Sequence, residues 1–155
     1  MHRVVIAATF ISLVVQPAFA LSCIRPDPLL SYTQARDADE VYVVVKGAFT
    51  PLGPPVPVGN EGASRMAARL TGEALGPDGF TVPFDAEVTV DTICYGPWCG
   101  SEMPAGEILA YVESTSSGAV IENNACGGFV FYDPHRTDLA RVEACHFGGS
   151  CELLP

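Results

Sequence analysis

Six cysteines and three histidines are the residues of this chain best suited to forming bonds, and their spacing limits the chemistry. Cys94 and Cys99 have four residues between them, and Cys145 and Cys151 have five. Neither is the two-residue spacing of structural zinc knuckles, nor is there a C-x-x-C redox motif. An even number of cysteines in a small chain with an export signal reads instead as three disulfides, with every pairing open at this point. His2 falls inside that signal, which leaves His135 and His146, eleven positions apart around a predicted short helix. A metal centre needs about three convergent ligands. The two histidines are therefore read as surface or capping residues, and no metal or cofactor is expected.

Catalytic alternatives fare no better. The sequence has no Gly-x-Ser-x-Gly elbow, and paired cysteines cannot serve as nucleophiles. Asp85, Glu87 and Asp91 would share one strand face and could mimic a carboxylate cluster, but a solvated outer face explains them more simply. No calcium loop of EF-hand type occurs. The reading is a non-catalytic binding module. The alternative of a small extracytoplasmic metal protein or enzyme would need His135, His146 and carboxylates to converge on one pocket.

One segment suits binding. Trp98 is the sole tryptophan and lies in Cys94-Tyr95-Gly96-Pro97-Trp98-Cys99. A rigid, exposed aromatic beside Tyr95 and Pro97 would make a hot spot. The competing reading places the Trp98 ring as a lid over the end of the core.

The signal is residues 1–20. Arg3 gives a short basic start, Val4 to Val15 is apolar, Gln16-Pro17 breaks any helix, and Ala18-Phe19-Ala20 offers small residues where a signal peptidase reads. An apolar run of about 12 residues is short against the ~20 of a spanning helix. Leu21-Ser22 before Cys23 fits a lipoprotein box poorly. The expected product starts at Leu21, comprises one domain over residues 21–155, and is secreted or periplasmic without membrane insertion.

With 18 Asp and Glu against 8 Lys and Arg, the chain has a formal charge of −10, and all the acidic residues follow the signal. Nucleic acid and anionic membranes need clustered cations and are disfavoured as partners. A protein partner remains, such as a protease or an envelope protein.

Several elements must position these residues. Leu29 to Asp39 predicts a short helix with Leu30 and Ala35 inward, and Glu40 to Phe49 an apolar, β-branched strand. Pro51 to Gly62, rich in Pro and Gly, reads as a loop. Met66, Ala68 and Leu70 alternate with polar residues, Gly76-Pro77-Asp78-Gly79 makes a turn, and Phe80, Val82, Phe84, Ala86, Val88 and Val90 then share one face. That is a long hairpin, in which Pro83 marks an edge or a bulge. Glu107 to Ser114 is a further strand, and Ala119 to Ile121 together with Phe129 to Tyr132 supply a fifth. Asp133-Pro134 reads as the cap and first turn of a short helix carrying Leu139 and Val142 on one face. Five unequal strands with one or two short helices predict a mainly β, disulfide-bonded Greek-key barrel.

Three features of this layout resemble the netrin-like module, an OB-type barrel known from tissue inhibitors of metalloproteinases. Leu21-Ser22-Cys23-Ile24-Arg25-Pro26-Asp27-Pro28 is similar to the family's opening, in which two cysteines flank one residue and prolines follow. Asp39-Glu40-Val41-Tyr42-Val43-Val44-Val45-Lys46-Gly47 resembles the first barrel strand, and Cys94 and Cys126 fall where the family places partner cysteines. The resemblance implies a five-stranded OB-type barrel, with Cys23 tied to Cys126, Cys94 left to pair with Cys99, and Cys145 closing on Cys151. It also implies that the mature terminus, Leu21 and Ser22, could reach a protease zinc through the α-amine and carbonyl of Leu21. Leu21, however, stands where the family has its first cysteine, so no disulfide pins that amine. Ordering it would cost about 1–2 kcal/mol per residue, which leaves metalloproteinase inhibition as the alternative function.

Overall fold

The computed structural model describes residues 21–59 and 62–153. The expected signal peptide, residues 1–20, lies outside them. The elements in chain order are α1 (Pro28–Asp37), β1 (Tyr42–Pro51), β2 (Val56–Pro57), β3 (Ser64–Gly76), β4 (Gly79–Thr92), β5 (Cys94–Tyr95), β6 (Trp98–Cys99), β7 (Gly106–Thr115), β8 (Gly118–Asn123), β9 (Val130–Tyr132) and α2 (Arg136–His146). The described chain is thus mainly β, with two helices and three disulfides.

Asp27 starts α1. Its carboxylate accepts from the Leu29 and Leu30 amides at 2.8 and 3.3 Å, and Pro28 follows where no amide hydrogen is needed. The buried face carries Leu29, Tyr32 and Ala35. Leu30, expected inward, is only half-buried, because at helical spacing it groups with Thr33 and Gln34.

The strand pattern follows from how many faces are covered. In β1, Val45 and Phe49 enter one core while Val44 enters another. In β7, Ile108, Ala110 and Val112 face the first core, and Leu109 and Tyr111 the second. Both strands are covered on two sides and hence read as unbroken apolar runs. In β3 and β4, Ala68, Leu70, Val88 and Val90 are buried while Arg69, Thr71, Asp85 and Glu87 face solvent, giving clean alternation.

Antiparallel ladders join β1 to β3, β3 to β4, β1 to β7 and β7 to β8, while β4 and β8 run parallel from Val88↔Ala119 to Thr92↔Asn123. Following partners from β1 through β3, β4, β8 and β7 returns to β1. The expected fifth strand is two strands: β8 sits in this circuit, and β9 pairs only with the first half of β7. The Pro-rich segment before β3 is not entirely loop either, since Val56 and Pro57 pair with Arg65 and Ser64.

The hairpin departs from its expected pattern at one point. Ala74 pairs with Val82 and Leu75 with Phe80, so Thr81 is an extra residue in β4. One inserted residue reverses the facing of everything beyond it. Phe80 therefore packs into the second core with Leu75, whereas Val82 is left exposed. Pro83 sits beside this bulge, on the part of β4 that has no partner beyond β3 among the described residues.

The second core lies between the sheet and the helices, where Leu29, Tyr32, Phe80, Leu109, Tyr111, Val142 and Cys145 meet. The buried Tyr111 hydroxyl donates to the Pro28 carbonyl, and Arg141 of α2 reaches Asp27 at 3.0 Å. Asp133 does not cap α2. Its φ of 45° is left-handed, incompatible with the extended backbone of an N-cap, and the helix starts after His135. The disulfides are Cys23–Cys126, Cys94–Cys99 and Cys145–Cys151.

Candidate binding cleft and aromatic hairpin

Tyr95 and Trp98 face each other across the two-residue strands β5 and β6, which Cys94–Cys99 closes. Gly96 has φ 62° at the first turn position, as mirror-image hairpin turns require, and Pro97 then fixes the second. The aromatic pair remains open to solvent, Tyr95 at 45% and Trp98 at 39% exposure. Pro97 is exposed as well.

The hairpin is anchored at its base. Ile93 donates to the Asn123 carbonyl at 2.9 Å, and Gly100 donates to Ile93 at 3.1 Å. The Asn123 side chain, buried, donates through Nδ2 to Thr92 Oγ1 at 3.2 Å and to the Ser101 carbonyl at 2.7 Å. A Cβ at Gly100 would collide with Asn123, so only glycine allows this approach. On the other flank, a Cβ at Gly62 would come within 3.2 Å of Cys99 Sγ. The Pro-rich segment and the disulfide hairpin therefore stand against each other.

Between them opens a cleft of about 400 Å³. Met66, Val90 and Met103 form its apolar floor, Pro51, Pro55 and Pro104 its edges, and Ser64, Thr92, Ser101 and Asn123 its polar points. Among the described residues, Glu102 is the one charged residue lining it. This volume and this mixture of an apolar lining with few polar groups are those of small-ligand sites.

The other candidate residues are dispersed. Leu21 and Ser22 are exposed, two residues or fewer from the Cys23–Cys126 tie. His135 and His146 occupy opposite ends of α2, roughly 16 Å of helix apart. His146 Nδ1 hydrogen-bonds the Tyr32 hydroxyl at 2.9 Å beside a second hollow of about 260 Å³. Asp85 and Asp91 each take an arginine fork: Arg69 at 2.6 and 2.7 Å, and Arg65 at 3.2 and 3.0 Å. The Arg69 hydrogen bond holds the Asp85 carboxyl below its usual range, helped by Thr71. Exposed pairs of this kind contribute little stability. Among the described residues, no three His, Cys, Asp or Glu side chains gather as metal ligands would, and no helix is long and apolar enough to cross a membrane.

Sequence reasoning read Cys94 to Cys99 as a short loop with Trp98 either exposed or a lid; the structure makes it a two-stranded hairpin with Trp98 exposed, and the cleft was missed. Met66 was legible as a core position, but Met103 and Asn123 carry no local signal. No protein-family model, curated protein or solved structure matches the chain.

Proposed function

We propose that this chain is an exported, non-catalytic binding module built on a netrin-like, OB-type Greek-key barrel, and that it engages a protein partner through the Tyr95-Gly96-Pro97-Trp98 hairpin. The observation that carries the reading is a pair of large aromatics, side by side and exposed, on a turn closed by its own disulfide. Aromatic anchors dominate interface energetics, and a pre-ordered loop loses little conformational freedom on binding. Export is supported by three disulfides, which persist in oxidising compartments. Two things support the barrel. The strand pairings return to their start with one parallel step, as in OB-type barrels. Gly47 and Gly72 also face each other where any Cβ would strike the neighbouring backbone, and strands coil most tightly at such positions.

A photoreactive residue at Tyr95 of the exported protein tests the partner. It should crosslink one discrete protein, whereas the same group at the exposed Ala48 of β1 should not. Wild-type protein should compete for that partner, and Trp98→Ala should compete at least about tenfold more weakly, a typical hot-spot loss. Equal competition by a folded Trp98→Ala protein would end the hairpin reading.

A second reading rests on the exposed Leu21 and Ser22 beside Cys23–Cys126. In it the Leu21 amine and carbonyl chelate a protease zinc. Two unpinned residues must order first, so inhibition should be weak, and acetylating the amine should abolish it.

A further inference from the structure

The cleft behind the hairpin has a polar point that the fold does not use. Asn123 is 8% exposed, and its Nδ2 donates to the Ser101 carbonyl. A carbonyl can only accept, so the amide nitrogen must face it, and the orientation of the side chain is fixed. Its Oδ1 then points away and takes no hydrogen bond among the described residues. It is not sealed off either, since the one sealed, unpartnered side-chain polar atom among the described residues is Arg141 Nη2. Asn123 lines both the 400 Å³ cleft and a hollow of about 70 Å³ shared with Phe129 and Tyr132, and of these two spaces beside the open acceptor the cleft is the one with room for a ligand.

We propose that this cleft is a ligand site separate from the hairpin's partner surface, and that it takes a small amphiphile with an apolar body and a neutral or cationic N–H or O–H head. The body would lie on Met66, Val90 and Met103, and the head would donate to Asn123 Oδ1. Two methionines suit the purpose, because their unbranched, polarisable side chains adapt to varied apolar shapes. Charge narrows the class further. Among the described residues Glu102 is the only charged one lining the cleft and no cation lines it, and the chain carries −10 overall. An anionic head would find no partner and a repelling field.

Trp98 reports on the site, because it is the only tryptophan and adjoins the lining residue Cys99. The probe is N-phenyl-1-naphthylamine, an uncharged aromatic with one N–H. Titrated into the disulfide-intact protein, it should brighten saturably at one equivalent and quench Trp98 by energy transfer. n-Octylamine should displace it about tenfold or more better than octanoate, from which a charge mismatch is being read. Octanol should outcompete methyl octyl ether, which lacks the donor.

Two blocking variants check the location. Gly53 lines the cleft and a Cβ there meets nothing, so Gly53→Phe adds bulk without a clash. Ser101→Phe adds bulk at an exposed lining position and keeps the carbonyl that Asn123 needs. Both should lose probe uptake, whereas Ser116→Phe, outside the lining, should retain it. Non-saturable uptake, uptake undiminished in both blocked variants, or octanoate displacing as well as octylamine would overturn the proposal. None of these outcomes alters the crosslinking result at Tyr95, so the two readings stand or fall separately.

Discussion

Asp27 joins three jobs in one carboxylate: it caps α1, pairs with Arg141 of α2, and thereby ties the two helices together over the second core. Burial works to raise its pKa, but the hydrogen bonds from Arg141 and from the Leu29 and Leu30 amides outweigh it, and the carboxyl titrates below its usual value. The sign of the pH effect follows. A carboxyl depressed in the folded state adds stability that is fully present above the unfolded value, about 3.9, and is lost as pH falls through the folded one. Asp138, 3.5 Å from the same guanidinium, is the other carboxylate that bears on it. Urea midpoints measured between neutral pH and about pH 2 should therefore fall more steeply for wild type than for Asp27→Asn, which can still cap but cannot ionise. At neutral pH, Asp27→Ala should lose about 1 kcal/mol for the cap, beyond any change in the ion pair. Parallel pH profiles for wild type and Asp27→Asn would show that the ion pair contributes nothing to folding.

The bulge in β4 shows how an element is steered by a single residue. Thr81 is unmatched in the ladder, and it alone lets Phe80 turn to the helices while Phe84, Val88 and Val90 serve the strand core. Deleting Thr81 should leave a regular ladder in which Phe80 adjoins Val82, stays opposite Leu75 and keeps its ring in the second core, with its amide still within reach of Glu143 Oε1 of α2. Phe80→Ala should lose about 3–5 kcal/mol, as for truncation of a buried phenylalanine, and the deletion clearly less, both read by denaturant unfolding. A deletion as costly as Phe80→Ala would mean that Phe80 has turned out of the second core. This is also where sequence reading reached its limit. The alternation of Met66, Ala68 and Leu70 and of Val88 and Val90 was legible, because one face of that hairpin is wet and the period of two survives. Phe80 kept the same parity in the sequence, so nothing local announced its reversal. Asp133-Pro134 failed for a similar reason: cap-type residues are present, but the backbone turns left-handed there to bring β9 off β7. The cleft was hidden because Gly53, Met66, Met103 and Asn123 meet only through the strand pairings and the hairpin anchor.

At the scale of the molecule, the disulfides divide the work unequally. Cys23–Cys126 spans 103 residues and fastens the segment before α1 to the turn after β8, so nearly every strand lies inside its loop. Cys94–Cys99 and Cys145–Cys151 span 5 and 6 residues and brace a turn and a tail. If crosslinks act mainly by restricting the unfolded chain, stabilisation grows with loop length, to about 4.7 kcal/mol for ~100 residues against about 3 for fifteen. The Cys23→Ser/Cys126→Ser double variant should then lose about 2–5 kcal/mol, the usual range for a small exported domain. The Cys145→Ser/Cys151→Ser variant should lose less from chain entropy, although Cys145 is buried in the second core and adds a packing loss of its own. The denaturant slope separates the two causes. Releasing a 103-residue loop lets the unfolded chain expand and expose more surface, so the slope should rise for the first variant. Opening a tail loop frees almost no surface, and the second slope should stay at the wild-type value. An unchanged slope in the first variant, with stability still lost, would mean that Cys23–Cys126 acts in the folded state, by holding the N-terminal segment against the Cys126 turn, where Pro26 lies beside Gly127.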